Sequence, residues 1–126
     1  MEIRFDKFFM TVDAKFIYQM KSDQGTGDLN EIGFVHFLEN QYPEFLGYKV
    51  ICTKGTYADL AYKVDVAVLQ NGDFVKLFQV KSSEYGARKA WYDQCLSKTF
   101  HTYNGINYKV NVFYPNEKGR WVEYKG

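Results

Sequence analysis

Two apolar runs meet across Asn71-Gly72-Asp73, and that junction constrains the fold more than any other stretch. Lys63 to Leu69 carries Val64, Val66 and Val68, and Phe74 to Lys81 is a second strand-like run. Asn-Gly between such runs favours a tight hairpin, because both turn residues must take positive φ. The spacing therefore predicts two antiparallel strands in one of two registers. With a two-residue loop, Asp65 opposes Phe78 and faces away from Gln79 and Lys81. With a three-residue loop, or an equivalent bulge, Asp65 opposes Gln79 and the three polar side chains share a face. One step of slip turns every side chain over. The second register is expected here.

The rest of the chain builds around that hairpin. Asp28-Leu29-Asn30-Glu31 fits a capping box and opens a helix that runs to about Asn40 or Gln41, before Pro43. Gly47 to Thr53 reads as a strand, and residues 54–62 as a loop or short turn. Glu84 to Phe100 reads as a second helix with Ala87, Trp91, Cys95 and Leu96 inward. Tyr108 to Tyr114 reads as a fourth strand, turned back by Pro115 to Gly119 into Arg120 to Tyr124. The first three strands can meander antiparallel, and the fourth follows a helical crossover and can pair in parallel. The expected class is α/β, a mixed sheet flanked by helices. Residues 1–20 are apolar enough to dock, as a strand, a helix or a dimer arm, and Ser22 to Gly27 reads as a loop.

At 126 residues, 1–126 is a single domain, with its core at about 25–114 and an N-terminal extension at 1–24. Sixteen basic and fifteen acidic residues give a net charge of +1, so local clustering decides the partner. Two cysteines and two histidines argue against a disulfide framework, a zinc site and histidine-based nuclease chemistry. The longest apolar run, Val66 to Leu69, is too short to span a bilayer, and Met1 to Met10 lacks the apolar stretch of a secretion signal. A cytoplasmic protein is the expectation. The 19% of aromatic residues suits strands and a core, and can also stack on bases.

Four residues carry candidate chemistry. On a helical wheel Val35, Leu38 and Tyr42 fall within about 40° of Glu31. That puts a carboxylate in the middle of an apolar stripe, where it is costly unless capped, paired or bound to a cation. Asp65 interrupts a valine-rich strand, which disfavours Asp. Gln79 and Lys81 share a strand face with Leu77 and Val75. Asp65, the Gln79 amide, the Val80 carbonyl and Glu31, directly or through water, offer oxygen donors suited to Mg²⁺ or Mn²⁺. Lys81 would steer or help deprotonate an attacking water and stabilise charge on a phosphate, with the metal as Lewis acid at a scissile phosphodiester.

Gly27-Asp28-Leu29-Asn30-Glu31, Lys63-Val64-Asp65 and Phe78-Gln79-Val80-Lys81-Ser82, in this order of helices and strands, resemble the PD-(D/E)XK nuclease superfamily. The Gln-x-Lys variant is similar to the group I intron homing endonuclease and Mrr-like branch. The resemblance implies a restriction-endonuclease-like αβββαβ core with Glu31, Asp65, Gln79 and Lys81 as catalytic residues. Gln79 stands where an acidic residue is usual, and Asp59, six residues before Asp65, is an alternative ligand. It implies a Mg²⁺- or Mn²⁺-dependent endodeoxyribonuclease acting on double-stranded or branched DNA, of homing or phage and mobile-element type. A Holliday junction resolvase of the same fold and a non-cleaving nucleic-acid-binding module are the alternatives. Ser83 and, on the following helix, Arg88, Lys89, Gln94 and Lys98 would face nucleic acid. A homodimer or homotetramer would follow, with no membrane partner.

Overall fold

The computed structural model describes residues 27–53, 56–60, 63–97, 101–103 and 105–126. Strands β1 (Tyr48–Cys52), β2 (Val66–Gln70) and β3 (Asp73–Val80) form an antiparallel meander. Asn71 and Gly72 turn the β2–β3 hairpin with φ of 52° and 89°, the two positive values a tight turn of this kind requires.

The loop has two residues, yet the far end of the hairpin is in the second register. Leu69 opposes Phe74, whereas Val68 opposes Lys76, so Val75 is an extra residue in β3. This bulge restores the pairing that a three-residue loop would give. Val66 opposes Phe78, the pairing that the second register requires. The Asp65 N–H donates to the Phe78 carbonyl at 2.8 Å, which ties the residue before β2 to β3. The bulge also turns Val75 to the face of Val66 and Phe78, not the face of Leu77 where strict alternation would put it.

β6 (Val110–Pro115) lies parallel to β3, and β7 (Trp121–Tyr124) pairs antiparallel with β6. The five-stranded mixed sheet has the order β1-β2-β3-β6-β7. β4 (His101–Tyr103) and β5 (Ile106–Tyr108) form a separate hairpin ahead of the strand expected from Tyr108. The Tyr108 hydroxyl donates to the Phe74 carbonyl at 2.8 Å and ties this hairpin to the sheet.

Helix α1 (Gly27–Gln41) begins one residue before the expected cap. It covers one face through Phe34 and Leu38, which pack on Val66, Val68, Phe78 and Val80. The Phe34 ring lies 5.0 Å from Phe113, 5.2 Å from Trp121 and 5.5 Å from Phe78. The N-terminal half of α1 therefore sits at the sheet end where β3 finishes. The opposite face holds Ala67, Leu69, Leu77 and Val110, covered in part by Ala58 of the one-turn helix α2 (Tyr57–Leu60). Helix α3 (Glu84–Ser97) crosses β6 and β7 on this second face.

In α3 the inward stripe is Ala87, Trp91 and Gln94. Cys95 and Leu96, expected inward, are exposed, Leu96 by 81%. The reason is Gln94. Its amide accepts the Val110 N–H and donates to the Val110 carbonyl, both at 2.8 Å, and this rotates the next two residues outward. Among the described residues no helix is long and apolar enough to cross a membrane. The expectations for residues 1–24 and for Lys98 lie outside the described residues.

Candidate active site

The site begins with the way the chain returns from β1 to β2. Thr53 is fully buried, and its hydroxyl donates to the Val64 carbonyl. The Thr53 N–H donates to the Asp65 carbonyl at 2.9 Å. Between these points the Asp59 N–H donates to Thr56 at 3.1 Å, and the Val64 N–H donates to Ala58 at 2.8 Å. Lys63 takes the left-handed conformation, with φ of 58°, to make the return. These bonds fold α2 over the second sheet face and bring Asp59 against Asp65.

Both acids are buried, Asp59 at 7% and Asp65 at 8% exposure. The Asp65 carboxylate accepts the Val80 N–H at 2.8 Å and is hydrogen-bonded to the Asp59 carboxyl. Two carboxyl groups can hydrogen-bond to each other only if one of them carries a proton. Burial pushes the Asp65 carboxyl from 3.8 up to about 7, with the neighbouring Asp59 adding to the rise. The Val80 N–H and the Lys81 ammonium act in the other direction. Desolvation dominates here, as expected for an acid removed from water.

Gln79 and Lys81 come from the end of β3 and the residue just after it, in the alternation of Leu77, on either side of the Val80 N–H that the Asp65 carboxylate accepts. Gln79 is half-buried and pairs with Val112 of β6. The Lys81 N–H donates to Phe113 at 2.9 Å. The Lys81 side-chain stem runs along Gly86, where an added Cβ would lie 3.5 Å from the Lys81 Cβ. The Ser83 hydroxyl accepts the Gly86 N–H at 3.1 Å and caps α3. The structure thus joins Asp65, Gln79, Val80 and Lys81 at one sheet end. Glu31 is in α1, and its side chain lies outside the described residues.

The remaining expected contacts spread along α3. Arg88 is exposed and hydrogen-bonds to Tyr124, which holds its guanidinium above the ordinary value. Lys89 is exposed. Gln94 points to the Val110 backbone instead of outward. A groove of about 410 Å³ lies between α3 and the β6–β7 strands, lined by Trp91, Gln94, Lys109, Glu123 and Tyr124 among others. None of Asp59, Asp65, Gln79 or Lys81 lines it, so the groove and the acid pair are separate features.

The sequence reading treated Asp59 as a replacement for Asp65, whereas the structure places the two together. The available signal was an acid set inside the apolar run Ala58, Leu60, Ala61 and Tyr62. Among the described residues, no group of three or more His, Cys, Asp or Glu side chains gathers to hold a metal. A cation at this sheet end would rest on two carboxylates completed by the Gln79 amide, the Val80 carbonyl and water. Such a hard-oxygen donor set fits Mg²⁺ or Mn²⁺, which keeps several waters and needs only one or two carboxylates. The chain matches no family model, no curated protein and no solved structure.

Proposed function

We propose that this chain is a Mg²⁺- or Mn²⁺-dependent DNA endonuclease, built on a restriction-endonuclease-like αβββαβ core. The observation that carries the reading is the meeting of Asp65 and Lys81. A buried carboxylate held by the Val80 N–H lies within electrostatic reach of an ammonium on the adjoining strand. Had the hairpin taken its other register, the thickness of the sheet would separate the two. The order α1, β1, β2, β3, α3, β6 and the parallel β3–β6 pair also agree with that core.

Asp65 and Asp59 would hold the ion together with Gln79 and the Val80 carbonyl. When bound, the ion supplies Lewis acidity toward the phosphate and lowers the pKa of a water molecule. Lys81 donates hydrogen bonds to the attacking water or to the phosphate oxygen on which charge builds. An ammonium fixed before the reaction stabilises that charge without reorganising. The Val80 N–H orients Asp65, and the packing of the Lys81 stem on Gly86 limits where its ammonium can go. Arg88 and Lys89 on α3 would contact backbone phosphates, which fixes register without reading sequence.

Gln79 favours a second reading, a nucleic-acid-binding module of the same core that does not cut. It removes a negative charge from the strand position next to Lys81. The test is incubation of supercoiled plasmid and four-way branched DNA with the protein in Mg²⁺ or Mn²⁺. The endonuclease reading expects metal-dependent cleavage that disappears in Lys81→Ala and Asp65→Asn while fold and DNA binding persist. Preference for branched over plasmid DNA would mark a junction resolvase rather than a homing-type or mobile-element enzyme. Intact substrates with both metals, with binding retained, would leave the module.

A further inference from the structure

We infer that the groove between α3 and the β6–β7 strands takes an unpaired nucleotide of the DNA substrate, its base against Trp91 and Tyr124 and its phosphates toward Lys109 and Lys125. The inference rests on the reading of the chain as a DNA-acting protein. It adds the class of DNA preferred, one in which a strand leaves the duplex.

The walls of the groove supply the first argument. Trp91 is half-buried and fixed on several sides. It meets Tyr92 edge-on at 5.2 Å and Tyr124 at 6.0 Å, and a Cβ added to Gly126 would lie 3.0 Å from its ring. A ring already held in place loses little freedom when a ligand stacks on it. Every base has a π-face, so such a ring accepts any of them. Lys109 and Lys125, both exposed, stand among the lining residues against a single acid, Glu123. Arg88 adds a third cation through its hydrogen bond to Tyr124. Aromatic walls with an excess of cations match a planar base that carries phosphate.

The same groove is poorly built for a peptide. An extended peptide adds to a sheet through free backbone groups. At this point of β6 the Val110 N–H and carbonyl are both taken by the Gln94 amide at 2.8 Å. A docking helix is too large. One helical turn, about 10–12 Å across and 5.4 Å long, occupies about 400–600 Å³. The groove holds about 410 Å³, so all but one turn would stay outside. That volume is ordinary for a cleft that takes a small ligand.

Placement along α3 is the second argument. The helix starts beside Lys81, whose stem lies against Gly86. Trp91 follows Gly86 by five residues, about 7.5 Å of helix axis at 1.5 Å per residue. That is roughly two steps of a duplex strand at 3.4 Å each. Arg88 lies between the two points. A strand whose phosphate sits at Lys81 could thus pass Arg88 and place a nearby base in the groove. A base still paired in a duplex has its faces covered by its neighbours and cannot enter.

Fluorescence anisotropy in EDTA tests this apart from cleavage. The probes are a labelled blunt duplex and the same duplex with a single-stranded extension at either end. The wild-type chain is expected to bind an extended duplex at least about fivefold more tightly than the blunt one, the lower end of what one base–aromatic stack contributes. Trp91→Ala should abolish that advantage. Lys125→Glu, at an exposed position, should reduce it without disturbing the fold. Cys95 lines the groove and is exposed, so its alkylation by iodoacetamide reports occupancy of the unaltered chain. Extended DNA should slow that alkylation, and blunt duplex should not. If Trp91→Ala fails to fold, Lys125→Glu and the protection of Cys95 decide. Equal affinity for the two probes would overturn the inference, as would an advantage undiminished in Lys125→Glu or equal protection of Cys95 by both. In each of these cases metal-dependent plasmid cleavage would leave the endonuclease reading standing. Failure to bind either probe would remove both.

Discussion

The carboxylate of Asp65 accepts the backbone N–H of Val80 at 2.8 Å, one residue before Lys81. Through this bond the start of β2 fixes the end of β3, so the acid and the lysine keep their relative position. An Asn side chain can still accept from the Val80 N–H, whereas Ala leaves a buried donor unmade. Asp65→Ala should therefore cost about 1–3 kcal/mol of stability through that donor. Asp65→Asn should lose cleavage by about 10²-fold or more with no comparable loss of fold. Thermal denaturation beside a plasmid-cleavage assay checks both. Equal activity in Asp65→Asn and wild type would remove Asp65 from the chemistry.

Stability should fall as pH rises from 4 to 7. The Asp65 carboxyl titrates at about 7 in the folded chain and at 3.8 when unfolded. Below 3.8 both states carry the proton, and the group contributes no difference. Between 3.8 and 7 the folded state holds a proton that the unfolded state has released, so each step up in pH favours unfolding. Above 7 the folded state has released it too, and the penalty stays constant. The whole change is about 4 kcal/mol at 1.36 kcal/mol for each pKa unit. Urea denaturation at several pH values should show this slope in the wild type and a flatter one in Asp65→Asn. Identical slopes would contradict the burial of an ionisable group at this position.

The hairpin and its register were legible because their signals are local. Asn71-Gly72 forces a turn, and period-two alternation then leaves only two arrangements. The bulge at Val75 was open to expectation as one way of reaching the register, but no residue type marks its position. Asp59 was harder to place. Residues 54–62 have no helical or strand period, and the contact with Asp65 depends on Thr53 and on a left-handed Lys63 far from any glycine. Gln94 misled in the opposite way. A polar side chain on a helix next to Arg88 and Lys89 suggests a surface that faces a ligand. Here the amide satisfies the first residue of β6, and Cys95 and Leu96 turn outward as a result.

That role makes Gln94 a stability residue. It meets the N–H and the carbonyl of Val110 with both ends of one amide, and Val110 is only 4% exposed. Gln94→Leu keeps the size of the side chain but leaves two buried backbone groups without that partner. At about 1–3 kcal/mol for each unsatisfied group, the loss should reach about 2–6 kcal/mol. A denaturant midpoint measurement reads it directly. DNA affinity corrected for the folded fraction should not change, and a specific drop in affinity with unchanged stability would return Gln94 to the binding surface.

Arg88 and Lys89 should behave in the reverse manner. Both are exposed, and Arg88 is oriented by its hydrogen bond to Tyr124 rather than buried by it. Removing either charge leaves no unsatisfied buried group, so the fold should be nearly indifferent. Their contribution lies in counterion release from DNA: each phosphate contact steepens the dependence of binding on salt. Arg88→Ala and Lys89→Ala should each lower the slope of log affinity against log salt by about 1 and weaken binding alike across unrelated sequences. Tyr124→Phe should reproduce part of the Arg88→Ala effect, because the guanidinium loses its hydrogen-bond partner while its charge stays in place. Fluorescence anisotropy with a labelled duplex at several salt concentrations gives the slope. If it is unchanged in both alanine variants, the basic face of α3 is not the nucleic-acid surface, and the phosphates must be met elsewhere around Lys81.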